Sequence, residues 1–101
     1  MAIFDVYAFS GGSVPLLLDV QADLLSDLKT RVVVPLILEA KAKQEVLPRL
    51  KPVFQVNGKS YIMMTTDIGT IRTKELGTHM GTLNSHRHDI MAALDFLFQG
   101  F

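Results

Sequence analysis

The chain has no cysteine, so disulfides and thiol catalysis are excluded, which fits a cytoplasmic protein. It has no apolar run approaching the roughly 18 residues of a membrane span, and no charged segment leads into an apolar one as in a signal peptide. Net charge is zero, so nothing draws the whole molecule towards nucleic acid. No glycine-rich phosphate loop is present; Gly11-Gly12 alone does not make one. What remains is 101 residues, 49% of them hydrophobic, enough for one domain with a real core spanning residues 1–101.

The charges are unevenly spread. Residues 1–28 hold Asp5, Asp19, Asp23 and Asp27 and no base. Lys29, Arg31, Lys41, Lys43, Arg49, Lys51 and Lys59 follow, against only Glu39 and Glu45. Lys41–Lys51 reads first as a solvated loop; the sharper reading is a landing site for an acidic peptide.

Ile3–Phe9 alternates and is rich in β-branched and aromatic residues, which predicts a strand. Ser10–Ser13 is a turn. Leu16–Val20 and Val32–Leu36 read as strands flanking an acidic loop, the second stopped by Pro35, which has no amide to donate. Glu39–Leu47 reads as a short helix or an exposed loop. Val53–Val56, Asn57-Gly58 and Lys59–Thr65 form the clearest hairpin, because Asn-Gly suits a type I′ turn. Gly69–Lys74 reads as an exposed strand and Glu75–Thr82 as loop. Leu83–Phe98 is the one strong helix, capped by Asn84 or Ser85, with Leu83, Ile90, Leu94 and Leu97 facing the core and Gly100 as terminator. The sum is a mostly antiparallel sheet of about five strands with a C-terminal helix across it. Its helix tip and final residue are free to meet a partner.

Catalytic groups are sparse. His86 and His88 diverge by about 200° on a helix, so no metal site is expected with His79. Asp19, Asp23, Asp27 and Asp67 read as loop or turn acids rather than a paired-carboxylate site. Arg31 with Thr65, Thr66 or Asp67 would suit phosphate or RNA, but Arg31 paired with Asp19 on the adjacent strand is preferred. Met63 and Met64 read as core.

Four blocks occur in order: Asp19-Val20-Gln21-x-Asp23, Arg31-x-Val33-x-Pro35-Leu36, Met63-Met64-Thr65-Thr66-Asp67, and Asp89-Ile90 leading to Phe98-x-Gly100. In order and spacing they resemble the CcdB toxin family over nearly the whole chain. The resemblance implies an α+β, mainly β fold: a five-stranded antiparallel SH3-like barrel or sheet, a small accessory sheet and a C-terminal helix. It implies a cytoplasmic homodimer without cofactor or metal. It implies a non-enzymatic poison of plasmid maintenance and related modules, which binds the DNA gyrase A subunit and traps the cleavage complex. A CcdA-like antitoxin with an acidic disordered tail neutralises it; neither nucleic acid nor membrane is bound directly. The gyrase contacts carry over to Leu24, Leu25, Asp95, Gln99, Gly100 and Phe101, and the antitoxin contacts to Phe9, Ser10, Lys41, Lys43 and Arg49. Gln99 departs from the tryptophan of the best-known members, and Asp95 puts a charge where an amide is familiar. An indole stacked on a gyrase arginine is worth about 0.5–2 kcal/mol, which glutamine cannot supply. The alternatives are an endoribonuclease of the related MazF/Kid-like fold and a decayed toxin that only binds antitoxin.

Overall fold

The computed structural model describes residues 2–9, 11, 12, 14–42 and 47–100. Ser10, Lys43, Phe101 and most of the second half of the expected Glu39–Leu47 helix lie outside the described residues. Among the described residues, seven strands form one antiparallel sheet: β1 (Asp5–Ala8), β2 (Leu16–Asp19), β3 (Thr30–Leu38), β4 (Val53–Val56), β5 (Lys59–Met63), β6 (Gly69–Arg72) and β7 (His79–Thr82). Helix α1 spans Arg87–Gln99. The main path runs β4-β5-β3-β2-β1-β7, and the sheet curls into a half-barrel. The mainly β class is as expected, with seven strands in one network rather than five and a separate accessory sheet.

β3 is the hub. β2 lies along one edge, and the other edge is shared, with β6 opposite Thr30–Val33 and β5 opposite Leu36–Leu38. This corrects the expectation that Pro35 stops the strand. Pro35 stays paired with Leu17, and its carbonyl accepts the Met64 N–H at 2.9 Å. N–H and C=O of one strand residue point to the same side, so the missing donor faces the gap where β6 hands over to β5.

The core follows strand alternation. Val6, Leu16, Leu18, Val34, Leu36, Phe54, Val56, Tyr61 and Met63 project to one face. Ile90, Ala93 and Leu94, at helical spacing, close over them with Leu83 and Phe4. The Asn57-Gly58 turn has φ of 50° and 81°, the type I′ signature expected.

Two further readings need correction. His79–Thr82 is a strand, not loop, paired with β1 through a bulge between Val6 and Tyr7. The helix starts later than expected, after a 3-10 turn at Asn84–His86, and no side chain caps α1. Instead the Thr82 hydroxyl accepts the Asn84 N–H at 3.1 Å. Glu39–Lys41 is a single 3-10 turn.

Candidate functional site

Two exposed apolar features stand out. The first is the last turn of α1. Burial fades along the helix: Ile90, Ala93 and Leu94 are buried, Phe96 and Leu97 half-buried, and Phe98 is 68% exposed. Asp95 and Gln99 are exposed beside it. Gly100 ends the helix in the left-handed region, φ 79° and ψ 12°, its N–H donating to the Phe96 carbonyl at 2.9 Å. A side chain there would be strained, so glycine fixes how the chain leaves the helix. The sequence reading missed Phe98 as a surface residue, because it stands four residues after Leu94 and falls near the core stripe. The outward drift of burial along the helix was the missing signal.

The second is the loop after β2. Leu24 is 93% exposed and Leu25 46% exposed, on a 3-10 turn at Asp23–Leu25. The loop is well tied. The Asp23 carboxylate accepts the Ile3 N–H at 2.6 Å, and the Gln21 amide donates to the Leu25 carbonyl at 3.0 Å. Leu24 is therefore held out by a braced turn. No hydrogen bond or ring contact among the described residues joins this loop to the helix tip within one chain.

The antitoxin residues carried over from the resemblance divide. Phe9 and Lys41 come together, lining a depression of about 370 Å³ with Gly12, Val14, Pro15, Ile37 and Leu38. Arg49 is elsewhere. Its guanidinium lies 4.7 Å from the centre of the Phe96 ring, beside a second depression bounded by Pro48, Pro52 and Asp89.

Arg31 is wholly buried, as is Asp19. Arg31 Nε and Nη2 donate to Asp19 Oδ2 at 2.9 and 2.5 Å, and the Gln21 N–H donates to Oδ1 at 2.9 Å. The preferred pairing is thus present. Burial pushes the Asp19 carboxyl up, against the Gln21 N–H and the Arg31 guanidinium, which hold it down. Thr65 is also buried, its hydroxyl donating to the Leu50 carbonyl at 2.5 Å. Thr66 and Asp67 are exposed. His79 Nε2 sits 3.2 Å from the Asp5 carboxylate with its ring edge-on to Tyr7, and His86 lies against Phe54. No group of His, Asp or Glu among the described residues is arranged to hold a metal.

Comparison with solved structures finds this fold in a number of proteins, two mycobacterial ones among them. One is an endoribonuclease in complex with its cognate antitoxin, 17% identical, with a TM-score of 0.76 over 97% of this chain and 94% of that one. The other is an endoribonuclease, also 17% identical, with a TM-score of 0.73 over 97% of this chain and 90% of that one. The model of the CcdB protein family matches residues 3–100. With that match spanning nearly the whole chain, the protein belongs to the CcdB family of toxins from toxin–antitoxin systems.

Proposed function

We propose that this protein is a non-catalytic toxin that docks on the DNA gyrase A subunit and traps the gyrase–DNA cleavage complex. It acts as a cytoplasmic homodimer. The observation that carries this reading is the exposed apolar pair of features, Leu24–Leu25 on a braced loop and Phe98 beside Gly100 at the helix tip. Burying large apolar side chains on a partner is the main favourable term in association. Neutralisation falls to an acidic antitoxin segment seated at the Phe9–Lys41 depression, where a cation borders apolar walls.

The endoribonuclease reading has one specific support, the names of the two structural neighbours. Against it, the Arg31 guanidinium and the Thr65 hydroxyl are buried and committed to Asp19 and Leu50. A general acid or base must reach the proton it moves.

The test is incubation of the pure protein with gyrase, ATP and supercoiled plasmid. Linear DNA released on denaturation supports the gyrase reading, and removal of Gly100 and Phe101 abolishes it while the circular dichroism spectrum is unchanged. Full trapping by the truncated protein overturns the assignment of the helix tip. RNA cleavage by the pure protein, with no trapping, puts the endoribonuclease reading in its place.

A further inference from the structure

The end of the sheet that carries Thr30 and Arg72 holds a depression of about 510 Å³ lined by Leu28, Lys29, Arg72, Thr73 and Lys74. It is not the Phe9–Lys41 depression. That one lies at the Leu38 end of β3, and nine extended residues separate the two by about 27 Å. The lining is almost wholly apolar in spite of three cationic residues, so their methylene stems form the walls and their heads the rim.

The depression is preformed. The Thr73 N–H donates to the Lys29 carbonyl at 2.8 Å and the Thr73 hydroxyl to the Leu28 carbonyl at 3.4 Å, which ties its two walls together. Of the rim charges, Arg72 is spoken for by Glu75 at 2.9 Å. Lys29 and Lys74 pair with no carboxylate among the described residues, although the exposed Asp27 is close in sequence to Lys29. Leu28 is half exposed.

We propose that this depression seats a bulky apolar side chain of an acidic peptide segment whose flanking carboxylates pair with Lys29 and Lys74. A phosphodiester backbone satisfies the rim but offers nothing to fill apolar walls. An apolar peptide fills the walls but leaves the two ammonium groups unmatched. The geometry does not depend on what the helix tip binds.

The probe is a short fluorescein-labelled peptide with one leucine between paired glutamates, followed by anisotropy. The protein binds it, and binding weakens as salt rises from about 0.05 M to about 0.5 M. A Lys29→Glu/Lys74→Glu variant, altered only at exposed side chains, loses at least about tenfold in affinity. Serine in place of the peptide's leucine weakens binding similarly, and Lys59→Glu, at an exposed lysine of the β4–β5 hairpin that lines neither depression, changes nothing. Six results overturn the proposal: no binding by the native protein; equal binding of the serine and leucine peptides; undiminished binding by the double variant, which puts the peptide at another site such as the Phe9–Lys41 depression; as much loss with Lys59→Glu as with the double variant; tighter binding of a labelled oligothymidine than of the peptide; or a change of sedimenting mass in the double variant, which makes the occupant a second copy of this chain.

Discussion

At the residue scale, the Arg31–Asp19 pair governs stability more than chemistry. Both side chains are fully buried, and Arg31 Nη1 has no hydrogen-bond partner among the described residues. A charge left alone in such a site is costly, whereas replacing both charges by apolar groups is often neutral. Asp19→Asn therefore lowers unfolding free energy by about 3–5 kcal/mol in urea titrations, and Asp19→Leu/Arg31→Met is less destabilised than either single change. A loss of toxicity in Arg31→Ala consequently reports unfolding unless the fold is measured alongside.

Tyr7 offers a second test. Its phenol is pushed up by burial first, then by the Asp5 and Asp19 carboxylates, with Arg31 opposing. A raised folded value means the neutral phenol is the form the fold favours. That stability is complete below the ordinary value of 10.0 and is lost as pH rises through the folded value. In a Tyr61→Phe variant, which leaves Tyr7 the only phenol of the two in the sequence, tyrosinate absorbance appears above pH 10 and accompanies a fall in stability.

Among elements, β3 shows what single-residue rules cannot reach. Pro35 is tolerated because its absent N–H faces the handover between two partners. Val34, one residue earlier, is buried and its peptide group points to β2 beside Leu18. Val34→Pro removes a ladder bond in the core and costs about 3 kcal/mol or more, while Pro35→Ala stays within about 1 kcal/mol by thermal unfolding. The strand was legible from its β-branched run, but its passage through the proline was not, since only the sheet shows where a donor is dispensable. β7 was illegible for a related reason. His79-Met80-Gly81-Thr82 has no alternation, and its pairing with β1 comes from a partner over seventy residues away in the chain. The Asn57-Gly58 hairpin and the body of α1 were legible, because each is specified by neighbours in sequence. So was the Asp19–Arg31 pair, with both residues on adjacent strands of strong pattern. The site was legible in part: the exposed leucines of the loop follow from the family blocks, whereas the placement of Arg49 over Phe96, away from Lys41, is a tertiary contact that no sequence spacing gives.

For the whole molecule, the outward apolar residues separate function from stability. Leu24→Ser and Phe98→Ser remove exposed side chains, so each changes unfolding free energy by no more than about 0.5 kcal/mol. The same changes sharply reduce trapping in the gyrase assay if those surfaces carry the target contact. No helix among the described residues is long and apolar enough to cross a membrane.

β1 at the beginning of the sequence is bordered by β7 near its end, and the helix that roofs the core follows β7. During synthesis the sheet has no closed edge on that side until residues 79–82 have emerged, and the core has no roof until Ile90–Leu94 follow. A message broken or a ribosome stalled before that point releases a chain with its strands uncovered. Such a fragment is open to proteases before it can act, so the cell is exposed only to chains translated past Leu94.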